Sequence, residues 1–315
     1  MNSGRGRVPY CNPVYDRYFA DPFVLRTREG YFAVRTGSVV DGLVFELLTS
    51  ENLVDWTSRG GALRGQPDEL GTDCWAPEVA ECDDRWWMYY SIGNDDKAHH
   101  LRVAVADGPL GPYVDCGRRL SQNERFAIDP HPFRDRDGTW YLFYARDVLE
   151  GERVGTMLAV DVLEDMTSLR GDPRTILPPS ADWQLFLRGR EMYGQIYDWH
   201  TLEGPFVCER AGRYYCFFSG GNWKTAGYGV SYAVADHPLG PWSEPSGNTP
   251  LMATVPGKVL GPGHVSIVTT LEGQDVLVYH AWDAKGTRRR MCIDALNWST
   301  DGPQVDGPSS DPRLL

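Results

Sequence analysis

The sequence predicts an all-β fold, a five-bladed β-propeller of four-stranded antiparallel blades around a central channel. A repeated segment, five aromatic strand-like runs and a scarcity of helical periodicity predict it. Residues 104–113 read AVADGPLGPY and residues 233–242 read AVADHPLGPW. A further strand-rich unit lies between them, so the period is about 64 residues, within the range of propeller blades with their loops. A chain of 315 residues then holds about five units, expected as one domain over 1–315 with no appended C-terminal domain.

Each unit carries a run dense in aromatic and β-branched residues, the composition that suits a pleated, half-buried surface. The runs are Tyr31–Val34, Trp86–Tyr90, Trp140–Tyr144, Tyr214–Phe218 and Val276–Tyr279. A turn residue precedes each: Gly30, Asp84, Gly138, Gly212 and Gly273. Short strands punctuated this regularly, without a long apolar helix, favour radial repetition over an irregular pair of sandwiches. Whether the segment before Asn12 completes the last sheet is left open by the sequence.

Composition narrows the function classes. The balance of 31 basic and 43 acidic residues gives a net charge of −12, which repels phosphate backbones and anionic lipids, so nucleic acid and membranes are not expected partners. The seven cysteines form no CxxC pair, which argues against a disulfide framework or zinc site. The N-terminus lacks the apolar stretch of a secretory signal and nothing is long enough to span a bilayer, so a reduced cytoplasm is the expected location.

Counting back nine residues from each turn landmark reaches Asp21, Trp75, Asp129, Glu203 and His264. Their neighbours rhyme: Asp21-Pro22, Trp75-Ala76-Pro77, Asp129-Pro130, Glu203-Gly204-Pro205 and Gly261-Pro262-Gly263-His264. Equivalent ends of the innermost strands ring the propeller axis, so three carboxylates are expected to meet there. Gathered carboxylates repel one another and lose hydration, which points to function rather than packing. Inverting glycoside hydrolysis uses such a set: an acid for the leaving oxygen, a base for the water on the far side, and a neighbour that keeps the acid protonated.

The ordered motifs, over about Asn12 to Trp298, resemble glycoside hydrolase family 43. The resemblance implies a five-bladed propeller, net inversion, Asp21 as general base, Asp129 as orienting residue and pKa modulator, and Glu203 as general acid. It also implies Trp75 as a stacking wall, Arg289 as a substrate contact, and His264 as a residue that in many members faces a calcium or other ion in the channel. No cofactor is expected to be required, and calcium prefers oxygen ligands. Asp198-Trp199-His200 is read as shaping the sugar pocket, with Trp199 at the substrate, and His99-His100 as part of a polar surface loop. The expected activity is exo-acting release of terminal α-L-arabinofuranosyl or β-D-xylosyl units from small plant-derived oligosaccharides. An endo-arabinanase with an open groove and a non-catalytic glycan-binding propeller stand as rivals, and a retaining fructan-type enzyme as a weaker one.

Overall fold

A computed structural model describes residues 8–37, 39–66, 68–245 and 249–315. Regular structure among them is almost entirely strand, and the only helical pieces are two single 3₁₀ turns, Asp68–Leu70 and Asp182–Gln184. Each sequence unit opens with an inner strand: Ala20–Thr27, Asp73–Cys82, Ala127–Arg134, Gln195–Arg210 and Leu260–Thr269. Each then turns back into an antiparallel strand carrying the aromatic run. All five turn landmarks take positive φ, the conformation that glycine and, less readily, aspartate tolerate.

Three of the sheets are four-stranded meanders. The third and fourth units instead join in one eight-stranded sheet, because Gly155 and Thr156 pair in parallel with His200 and Thr201. Gly155 permits that approach: a Cβ there would lie 1.9 Å from the carbonyl oxygen of His200. The 16-residue strand Gln195–Arg210 is the longest. Its leading half forms a hairpin with Leu185–Met192, an addition with no counterpart in the other units. The paired repeat holds in detail, since Tyr113 donates from its hydroxyl to the carbonyl of Pro109 and Trp242 from its indole to the carbonyl of Pro238, each at 3.0 Å.

The inner strands touch one another in cyclic order, and side chains tie neighbour to neighbour. Ser266 donates to the Pro22 carbonyl at 2.9 Å, and Thr36 accepts from the Ala76 amide at 2.7 Å. His131 Nδ1 lies 2.6 Å from Glu78 Oε2, while its Nε2 accepts from the Val207 amide at 3.0 Å. Ser219 accepts from the His264 amide at 2.7 Å. Each of these bonds satisfies a buried polar group, which would otherwise destabilise the fold by about 1–3 kcal/mol. Apolar clusters fill the space between successive sheets, one around Phe32, Phe45, Met88 and Tyr90 and another around Phe143, Val160 and Phe218. The described residues before Asn12, 8–11, do not complete the last sheet, which ends in Gly302–Val305. Pro9–Tyr10 pairs separately with Arg313–Leu314.

Candidate active site

The leading ends of the inner strands open into a cavity of about 620 Å³ whose lining includes Asp21, Trp75, Asp129, Glu203, His264 and Arg289. The backbone delivers these side chains through a repeated irregularity. Pairing slips between Ala20 and Phe23, Trp75 and Glu78, Ile128 and His131, Glu203 and Phe206, and Gly263 and Ser266. Within the slips Asp21, Ala76, Asp129, Gly204 and His264 take φ of 52°, 44°, 58°, 58° and 51°. Such bulges re-aim side chains out of the regular alternation and are frequent beside active sites.

The nine-residue count therefore meets the left-handed residue in three units and falls one position ahead of it in two, at Trp75 and Glu203. Asp84 and Gly212 lie inside two-residue turns, whereas Gly30 already pairs with Thr27. In the fourth unit Gly204 absorbs the unfavourable φ; a Cβ there would also sit 3.0 Å from His264 Nδ1.

Asp21 is surrounded by positive and polar groups. Arg289 Nη1 donates to its Oδ1 at 3.0 Å, and the same oxygen lies 3.2 Å from His280 Nδ1 and 3.4 Å from His264 Nδ1. The Asp21 amide donates to His280 Nδ1 at 3.2 Å. Burial alone would raise the Asp21 pKa, but the Arg289 guanidinium overcomes it and holds the carboxyl well below its ordinary range. Burial in turn lowers His264 and pushes His280 down to about 4, so both imidazoles stay neutral near pH 7.

Asp129 and Glu203 sit in the opposite regime. Burial, then the nearby Glu203 and Asp21, raise Asp129 well above its usual range, although its Oδ2 accepts from the Gly204 amide at 2.9 Å. Burial pushes Glu203 up to about 7, partly opposed by the hydroxyl of Tyr228, which donates to Oε1 at 2.7 Å. Two buried carboxyls that repel each other titrate as a pair, and this one keeps a proton into the neutral range. The Gly204 amide favours charge on Asp129 and the Tyr228 hydroxyl favours charge on Glu203, so the proton belongs to the pair.

Arg289, expected as a substrate contact, begins the strand Arg289–Ser299 and lines the cavity. Its guanidinium lies 4.5 Å from the Trp223 ring centroid, and Trp223 stacks on Trp282 at 5.9 Å. Trp75 stands in the wall with its ring stacked on His99 at 3.7 Å. His99 and His100 are thus buried in a strand rather than exposed on a loop. The tip of that hairpin, Asp95 to Lys97, does reach the cavity. His99 donates through Nε2 to the Asp95 carbonyl at 2.8 Å, and burial lowers it to about 4.

Trp199 corrects a second expectation. It is fully buried, with its indole 3.4 Å from the Thr156 hydroxyl, and packs beneath Arg190 and Tyr193 instead of facing the cavity. The added hairpin contributes Phe186, Arg190 and Met192 to the lining in its place, and Arg190 forms an ion pair with Asp96 across the mouth. Sequence reasoning also passed over Tyr228, His280 and Asp147, because none occupies a repeated position. His280 carried a faint signal, a polar residue closing the apolar run Val276–Tyr279.

His264 offers one imidazole nitrogen, and among the described residues no group of three or more His, Cys, Asp or Glu side chains is arranged to hold a metal ion. Those residues do not fit a calcium held by the protein itself.

Comparison with known proteins places the chain in a family. The chain is 30% identical to a β-D-galactofuranosidase, xynD, of Aspergillus niger, covering 92% of this chain and 83% of that one. It is 24% identical to an extracellular exo-α-(1→5)-L-arabinofuranosidase of Streptomyces avermitilis, covering 96% of this chain but 64% of that longer protein. A crystal structure of a thermostable family-43 glycoside hydrolase superposes with a TM-score of 0.84 at 32% identity, over 96% of this chain and 98% of that one. The family model for glycosyl hydrolases family 43 matches residues 10–303, and the chain belongs to that family.

Proposed function

We propose that this protein is an inverting exo-glycosidase that releases a terminal furanosyl residue from small oligosaccharides. One observation carries the reading: the carboxyls of a single cavity are driven in opposite directions, Asp21 held ionised and the Asp129–Glu203 pair held to a proton into the neutral range. Environments that separate two pKa values in this way assign base and acid. Asp21 takes the proton of the attacking water as that water forms the new bond to the anomeric carbon. Glu203 gives its proton to the departing glycosidic oxygen, so the broken bond leaves a neutral alcohol. Asp129 is ionised when Glu203 holds the pair's proton and then keeps the acid from losing it early, while Arg289 fixes Asp21 and offers its remaining N–H groups to the sugar.

The named relatives act on β-D-galactofuranose and α-L-arabinofuranose. These sugars share one ring configuration and differ only in the arm at C4, so a site for that ring is the common ground. The arabinofuranosyl unit expected from the sequence falls within it; the β-D-xylosyl unit, a six-membered ring, falls outside. The added hairpin and its Arg190–Asp96 bridge wall one side of the cavity, which supports release of end residues over cleavage within a chain. We further read the five inner strands, in cyclic contact, as those of five propeller blades. No cofactor is required in this scheme.

The test is hydrolysis of the 4-nitrophenyl β-D-galactofuranoside, α-L-arabinofuranoside and β-D-xylopyranoside, and of the corresponding methyl glycosides beside the Glu203→Gln variant, with the first-formed anomer read by NMR. Cleavage of a furanoside with inverted product that collapses in the variant supports the proposal. A retained anomer, or cleavage of the xyloside alone, sinks it.

A further inference from the structure

Asp147 is a carboxylate of the cavity wall to which the scheme above gives no task. It lies near the end of the strand Trp140–Val148, and the hydrogen-bond register leads from it toward the acid. Asp147 pairs with Thr156, Thr156 pairs with Thr201, and Thr201 precedes Glu203 by two residues on one strand. All four line the cavity. Residues two apart in a strand share a face, and paired neighbours sit about 5 Å apart. Asp147 thus looks onto the space beside the reacting bond, not onto the outer surface.

Its partners are hydroxyls. Oδ1 accepts from Thr156 at 2.9 Å and Oδ2 from Tyr193 at 2.7 Å. The nearby Arg190 pairs with Asp96 instead. A clasp made by two hydroxyls needs no charge, and an amide would serve it. A carboxylate at a cavity wall without a bound cation keeps unused acceptor positions on both oxygens and has no donor of its own. Its natural complement is a ligand bringing two adjacent donors, and a vicinal diol is that ligand.

We propose that Asp147 is the specificity-determining residue of this site, accepting hydrogen bonds from both hydroxyls of the exocyclic glycol of a terminal hexofuranose. The preferred unit is then β-D-galactofuranosyl, whose arm carries O5 and O6; the arm of α-L-arabinofuranose offers a single hydroxyl. This inference rests on the furanosidase reading. Burial pushes Asp147 up to about 6, and a protonated carboxyl loses half its acceptor character, so the preference for the glycol weakens as pH falls below that value.

The experiment compares kcat/KM of the intact enzyme on 4-nitrophenyl β-D-galactofuranoside, its 6-deoxy analogue and the α-L-arabinofuranoside, then repeats the series with Asp147→Asn. Removing O6 is expected to lower kcat/KM of the wild type about tenfold or more, the effect of a hydrogen bond to a charged group. In Asp147→Asn that ratio shrinks toward one. Equal rates with and without O6, or a parallel loss on all three substrates in the variant, overturn the assignment and leave Asp147 as a structural clasp. If the variant does not fold, the wild type still decides: discrimination against the 6-deoxy sugar must fade between pH 7 and 5, and a constant ratio overturns it. Silence on both furanosides with cleavage of the xyloside is a different failure, that of the furanosidase reading itself.

Discussion

Two neighbourhoods of one cavity treat the same chemical group in opposite ways. Asp21 meets an arginine and two neutral imidazoles within 3.4 Å and stays charged. Glu203 meets a tyrosine hydroxyl and faces a second buried carboxyl, and holds its proton to about 7. Burial pushes both upward, so desolvation does not distinguish them. The difference lies in the companions, and above all in Arg289, which touches Asp21 and does not hydrogen-bond Glu203. A repeated backbone position supplies carboxyls; the unrepeated residues around it assign their roles.

The comparison breaks most severely when the acid is removed. Glu203→Gln keeps the shape and the Tyr228 bond but cannot give up a proton, and a loss of about 10³-fold in kcat/KM is expected. Activated leaving groups should be affected least, since they need least protonation. Arg289→Met comes next, at about 10²-fold. It removes the group that lowers Asp21 and also lowers Glu203, so both limbs of the pH–rate profile should move to higher pH. A profile that falls in height without moving would contradict the charge argument.

In the proposed mechanism, rate requires Asp21 ionised and Glu203 protonated. Activity should therefore hold on the acid side until Asp21 or the fold itself titrates, and fall about tenfold per pH unit above pH 7. Tyr228→Phe sharpens this: the hydroxyl favours ionised Glu203, so its loss should shift the alkaline limb upward by a fraction of a unit. A downward shift would mean that Tyr228 stabilises the protonated acid. The smallest effect expected is that of a chelator, less than about twofold, because the donors near His264 do not enclose an ion.

Much of the site was legible because it is periodic. Asp21, Asp129, Glu203, Trp75 and His264 recur at one place in five units, and a count from turn residues reached all of them. The count slipped by one at Trp75 and Glu203 because two turns are built differently. Residues outside the repeat left no such trace. Tyr228 and His280 reach the carboxyls only through packing between sheets, and the parallel contact at Gly155 that aligns Asp147 with Thr201 is a tertiary event. Trp199 was misread because aromatic composition does not say which face of a strand meets solvent. His99 was misread because polar neighbours hid a buried stacking partner.

The left-handed bulge also sets an alphabet. At φ near 50°, aspartate, asparagine, histidine and glycine are tolerated and longer or branched chains are disfavoured. Both carboxyls that sit on that residue are short, Asp21 and Asp129. The long one, Glu203, stands a step earlier, with Gly204 taking the awkward angle in its stead. In the proposed mechanism the base and modulator are aspartates for a reason of backbone geometry, and the acid has its extra reach because a glycine released it from that geometry. The remaining bulges hold Ala76 and His264 at φ of 44° and 51°, a backbone angle that an aspartate also adopts. For an ancestral or designed ring of this kind, moving the chemistry from one side to another asks for exchanges at single residues, with the scaffold left as it stands.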